Sequence, residues 1–119
     1  MRRLILVLLM AVTASAALAG GWCSTFSLAG GSVDLTNMQA NSTWVPVAVL
    51  LKFDQATNSV VTVQRVSQSN TFVLGSANVS NVTSTVWAPE ADYPFGFGDV
   101  LRVTSTATNG QVQIIRRAE

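Results

Sequence analysis

Across the last hundred residues, apolar and polar side chains alternate in short runs divided by turn formers. No window of about 11–18 residues carries a convincing helical period. Ser24-Thr25-Phe26-Ser27-Leu28 alternates and stops at Gly30-Gly31, and Ser32-Val33-Asp34-Leu35-Thr36 alternates up to Asn37. A period of two sends successive side chains to opposite faces of a strand, so each run reads as a half-buried strand. Valine supplies 15 of residues 20–119. Branching at Cβ stiffens χ1 and suits a pleated surface.

Later runs extend the pattern. Residues 43–53 are long and apolar. Pro46 cannot donate a ladder hydrogen bond and marks an edge or a strand start, which leaves 47–53 as a central strand. Residues 54–58 are expected to form a hairpin loop. The run 60–66 follows, with Val61, Val63 and the stem of Arg65 on one face and Val60, Thr62, Gln64 and Val66 on the other. Residues 67–70 form the next turn, and 71–74 a short strand ending at Gly75. Residues 77–86 are ambiguous: Val79, Val82 and Val86 have helix-like spacing, but Ser, Thr and Asn fill the gaps. They are read as a loop entering a strand at 83–87. Residues 99–106 alternate clearly, Asn109-Gly110 is a type I′ hairpin signal, and 111–116 return as the last strand. Seven to eight strands in one hundred residues predict an all-β fold, a single antiparallel β-sandwich or jelly roll. A small closed barrel is the alternative.

The N-terminus has a different character. Arg2-Arg3 precedes an uncharged apolar run over 4–12, which fades into small residues and ends in Ala17-Leu18-Ala19. This three-part layout, of bacterial form, predicts a secretory signal helix over 1–19, cleaved to leave one domain over 20–119. The competing reading is a retained anchor. The 16 apolar or small residues 4–19 span about 24 Å as a helix, short of the ~30 Å hydrocarbon core. Lipid attachment at Cys23 is disfavoured by the bulk of Trp22 before it. The expected location is therefore periplasmic, cell-surface or extracellular, with membrane contact only through the signal before cleavage.

Residues 20–119 carry five basic and six acidic side chains. That balance argues against a nucleic-acid partner, which needs clustered Lys and Arg. Arg116-Arg117 is the one basic pair in this region and reads as a solvated end. The single cysteine allows no intramolecular disulfide, so an exported chain of this kind relies on its core, on assembly or on a partner. Cys23 is a free thiol or an intermolecular link. Ser, Thr, Asn and Gln make up 35 of these hundred residues, giving a polar surface with little self-repulsion.

Catalytic chemistry is hard to place. Without histidine there is no Ser-His-Asp triad, Cys-His dyad or histidine metal site. Lys52 is the sole lysine, and no Gly-rich loop precedes a helix to cradle phosphate. No cofactor and no enzymatic activity are expected. Glu90, Asp92 and Asp99 fall within ten residues. They are candidate calcium ligands with backbone carbonyls, a glycosidase pair being the weaker alternative and solvated surface acids the plain one. Asn41, Asn78 and Asn81 begin glycosylation sequons, attributed to chance in a Ser/Thr/Asn-rich chain.

The segment 87–98 is the most unusual. It holds Trp87, Tyr93, Phe95 and Phe97, four of nine aromatics, together with two prolines and two glycines. These side chains either plug one end of the domain or form an exposed patch for a partner, a glycan or a neighbouring subunit.

The residues Val60-Val61-Thr62-Val63-Gln64-Arg65-Val66, then Trp87-Ala88-Pro89, then Phe97-Gly98-Asp99-Val100-Leu101-Arg102-Val103-Thr104 resemble the layout of small β-sandwich structural proteins of tailed phages and prophages. The resemblance spans about residues 45–116 and implies a non-enzymatic, self-associating or surface-attaching role. The export signal departs from it, because virion proteins assembled in the cytoplasm need none. The expected function is thus a non-catalytic exported protein with a structural or surface-binding role. A phage virion- or tail-associated component, and a carbohydrate- or calcium-binding module, are the alternatives.

Overall fold

The computed structural model describes residues 22–119; the expected signal helix over 1–19 lies outside them. Six strands follow one another: β1 (Trp22–Ser27), β2 (Ser32–Thr36), β3 (Trp44–Ser67), β4 (Asn70–Trp87), β5 (Val100–Ser105) and β6 (Gly110–Ala118). All pairings are antiparallel, in one sheet ordered β1-β6-β3-β5-β2, with β4 on the other edge of β3. The all-β class expected from the alternation is what the described residues form. The strand count is six rather than seven or eight.

The difference has two sources. Residues 54–58 do not turn back: β3 runs 24 residues through them, with pairing irregularities between Lys52 and Thr57 and between Thr57 and Ser59. Bulges bend a strand without ending it. Residues 77–82 are likewise strand, the middle of an 18-residue β4. Their polar residues look like a loop in sequence but pair with β3 through Ala77↔Val61 and Asn78↔Val60.

β3 organises everything else. Its first half pairs with β6 (Leu50↔Gln113, Leu51↔Val112), and its second half with β5 (Val63↔Val103, Arg65↔Leu101). Both halves pair with β4 on the opposite edge, so β6 and β5 lie in succession along one edge of β3. β1 extends the first half through β6, and β2 extends the second through β5. The curl brings the two halves face to face. Val49, Leu51, Phe53, Val112 and Ile114 from one half meet Val33, Val61, Val63, Leu101 and Val103 from the other in one buried cluster.

The folding-over is recorded at Gly75. This residue pairs with Val63 and Trp87 pairs with Val49, in opposite halves. Yet a Cβ at Gly75 would overlap the Trp87 indole, so the ring reaches across the gap and closes it. Asn109-Gly110 makes no hairpin. β5 and β6 pair with different stretches of β3, and residues 106–109 carry the chain from one half to the other. Gly110 is required for close approach, since a Cβ there would overlap the Lys52 carbonyl. The tight β3–β4 turn uses Gln68 (φ 52) and Ser69 (φ 72) in the left-handed region, as a two-residue hairpin demands.

Candidate functional site

The sequence singled out residues 87–99, and the structure scatters them. Phe95 is fully buried. Its ring stacks on Trp44 at 4.8 Å and 5°, and the two backbones exchange hydrogen bonds of 2.8 and 3.2 Å. Trp87 and Tyr93 are partly buried against the core. Phe97 alone of the four stands out, 63% exposed. The segment therefore contributes one core ring, two packed rings and one surface ring, not a shared patch.

The three acids are also apart in role. Asp99 accepts hydrogen bonds from Ser67 Oγ (2.7 Å), the Gly96 N–H (2.9 Å) and Arg65 Nη2 (3.3 Å). Burial pushes its pKa up, but these donors together with the charge of Arg65 bring it below the usual carboxylate range. Asp92 pairs with Arg117 at 2.9 Å on the surface, and Glu90 is exposed. Among the described residues no group of three or more His, Cys, Asp or Glu is placed to hold a metal ion.

In the sequence Asn37 stands only as the stop after β2. Nearly all buried, it donates from Nδ2 to the carbonyls of Ser42 (2.8 Å) and Phe95 (2.9 Å) and accepts from the Gln39 N–H (2.9 Å). Its backbone N–H and carbonyl bond Asp99 and Gly98. Every polar group is satisfied, which makes it a clasp between the 37–43 and 93–99 connections. No local pattern in sequence signals a side chain whose partner is 58 positions away.

Two surfaces remain with the character of contact sites. The first is β4. Its 18 residues include no charge and no proline, and no strand pairs with its outer edge among the described residues. Phe72, Val73 and Val86 along it are 50, 61 and 63% exposed. Beside it lies a hollow of about 390 Å³ on the outer sheet face, lined by Leu50, Lys52, Ser84, Val86, Gln111 and Gln113. Solvent-facing edges usually carry lysine, proline or inward charges that forbid further pairing. The edge of β2 has such protection, with Asp34 held by Arg102 through contacts of 2.8 and 3.0 Å; β4 has no such charge or proline, and only bulges opposite Thr57–Ser59 and Val63–Gln64 interrupt it.

The second surface is at the end where β1 and β3 begin. Arg116 lies over two indoles, 4.7 Å from the Trp22 ring centre and 5.0 Å from that of Trp44. Burial pushes its guanidinium below the usual range, opposed by the nearby Cys23 sulfur. It borders a cleft of about 280 Å³ with Leu35, Thr36, Met38 and Gln39. The expectation from sequence is a solvated end at Arg116; β6 instead carries it inward onto the rings.

No protein-family model and no curated protein matches the chain. Solved structures do resemble it. The Drosophila NLP core, described in terms of pentamer formation and histone binding, matches with a TM-score of 0.53 at 16% identity, over 83% of this chain and 97% of that one. A pentameric capsid protein from metagenomic phage sequences matches with a TM-score of 0.52 at 17% identity, over 85% of this chain. The match spans 62% of that capsid chain. At these identities the likeness is one of fold.

Proposed function

We propose that this chain is an exported, non-catalytic structural protein whose β-sandwich, of jelly-roll type, acts by associating with further copies of itself. One observation carries the reading: β4 presents an 18-residue edge without charge or proline, bordered by exposed Phe72, Val73 and Val86. An edge left open in this way is a template for another chain, and apolar groups beside it gain from being covered. The fold's likeness to two proteins described as pentameric supports self-association, and the phage capsid likeness keeps a virion-associated role as the second reading.

The test is the mass of the protein recovered after export, by intact mass spectrometry and light scattering across a concentration series. Residues 20–119 in a particle of several copies are expected. Val73→Lys and Val86→Lys place charges beside the edge and should release monomers that keep the β-type circular dichroism. A processed wild-type chain that stays monomeric throughout, or lysine variants that keep the assembly, would refute the proposal. A product beginning at Met1 would remove the export part of it.

A further inference from the structure

Arginines in this domain are otherwise answered by carboxylates. Arg65 is paired with Asp99, Arg102 with Asp34 and Arg117 with Asp92. Arg116 is paired with none, and residues 1–21, which lie outside the described region, contain no acid that could serve. Its environment is not the open solvent that would make this unremarkable. The half-buried guanidinium lies over the rings of Trp22 and Trp44; among the described residues Nε is buried without a hydrogen-bond partner, and Nη2 has the Ser24 hydroxyl, at 3.2 Å. Indole faces offset part of the cost of a desolvated cation. They supply no acceptor for the hydrogen-bonding capacity still unused at this guanidinium.

What lies in front of it is a site with mixed chemistry. The cleft is lined by Thr36 and Gln39, which carry a hydroxyl and an amide, beside Leu35 and Met38. Trp44 has Phe95 stacked on it, whereas Trp22, at the mouth, is partly exposed. At about 280 Å³ the space is just below the roughly 300–1,000 Å³ of drug-sized ligand sites. It suits one ring, not a long chain. An unanswered cation, an aromatic wall and a few hydroxyl and amide groups match a sugar that carries a carboxylate: the anion meets the guanidinium, the C–H face meets the indole, and the hydroxyls meet Thr36 and Gln39.

We infer that the Trp22–Arg116 cleft binds a carboxylate-bearing monosaccharide unit, such as a uronic acid. The cleft is built by β1, β6, the start of β3 and residues 35–39, none of them on β4, so the inference rests on other residues than the proposed self-association does.

The experiment compares methyl α-galacturonide with methyl α-galactoside, which differ only in a carboxylate for a hydroxymethyl, titrated into the exported protein by calorimetry and tryptophan fluorescence. Saturable binding of the acid, with the neutral sugar at least tenfold weaker, is expected. Arg116→Gln should abolish the preference. Because that change also disturbs the packing of two indoles, Met38→Glu provides the second arm. Met38 is 74% exposed, so a carboxylate there leaves the core intact and should weaken the acid at least threefold while sparing the neutral sugar. Equal affinity for the two sugars, no saturable binding at millimolar concentration, or indifference to Met38→Glu would overturn the inference. So would competition by acetate as effective as that of the sugar, which would reduce the cleft to a simple anion site.

Discussion

Phe95 and Phe97 are two residues apart in an aromatic stretch, and the structure gives them opposite weights. Replacing Phe95 by alanine removes a ring with no solvent exposure, stacked on Trp44 at 4.8 Å and lying 5.7 Å beneath the Arg65 guanidinium. Large-to-small changes of this kind cost about 3–5 kcal/mol, with the stacked pair adding to simple burial. A loss of about 4 kcal/mol is a large part of the 5–15 kcal/mol typical of a domain. With a urea slope of about 1.5 kcal/mol/M, the midpoint falls by roughly 2.5 M. Phe97→Ala, at a position 63% exposed, should stay within about 0.5 kcal/mol, or roughly 0.3 M. The assay is urea unfolding followed by far-UV circular dichroism, since Trp44 fluorescence reports its own changed surroundings. It is repeated over a range of protein concentration, because association raises apparent stability. Equal midpoints, or a larger fall for Phe97→Ala at unchanged slope, would refute the assignment of Phe95 to the core and of Phe97 to the surface.

Other expectations follow from the same geometry. Asp99 is held below its usual range in the fold, so its contribution is complete above the unfolded carboxyl pKa and is lost as pH falls through the lower folded value; urea midpoints should drop across the acid range, and Asp99→Asn should flatten that drop. Gly75→Ala forces a methyl into the Trp87 indole and should cost about 1–3 kcal/mol; in a Trp87→Leu background the same change should cost less, as a double-mutant cycle by urea unfolding would read. Asn37→Ala strips two carbonyls and one N–H of their partner in a buried clasp and should cost about 2–4 kcal/mol, with hydrogen exchange rising first in the 37–43 and 93–99 connections. Asp34→Asn, at an exposed pair on β2, should change the midpoint by well under 1 kcal/mol.

Period-two alternation was enough to place β1, β2, β5 and β6 and the facing of Val61, Val63 and Arg65, because those residues sit on strands with one buried and one open face. It failed at 54–58 and 77–82 for a shared reason. There β3 and β4 pair mostly with each other and bury little, so the residues look like a loop although the chain stays in the two strands, with bulges and a left-handed Asn81 (φ 54). Asn109-Gly110 misled because a glycine can serve close approach as well as a left-handed turn, and nothing local distinguishes the two. At the candidate sites, residue type was legible and position was not. That Phe95 is buried and Phe97 exposed depends on Trp44, and that Arg116 lies over two indoles depends on β1 and β3 meeting β6 at one end.

The uncharged edge of β4 is selective as well as open. Asn70–Trp87 contains neither the charges nor the prolines that keep edges single, and a monomer exporting such an edge would tend to pair indiscriminately. Two features limit what the edge accepts. β4 is bent with β3 around the core, so a flat, extended strand meets only part of it in register. Its outward positions are mostly Ser, Thr and Asn, whose hydroxyls and amides reward an aligned partner and leave a misaligned one with unpaired polar groups. The curvature and the polar ladder together favour a partner that curves the same way. In the self-association proposed above, another copy of this chain supplies such a partner, through a head-to-tail contact closing into a ring or a two-fold contact closing into a dimer. Under that proposal, the choice between the two is set by what β4 meets. A cross-link from a cysteine at position 73 to Cys23, exposed on the β1 edge, requires the head-to-tail arrangement, whereas a 73-to-73 link in a Cys23→Ser background requires the two-fold one.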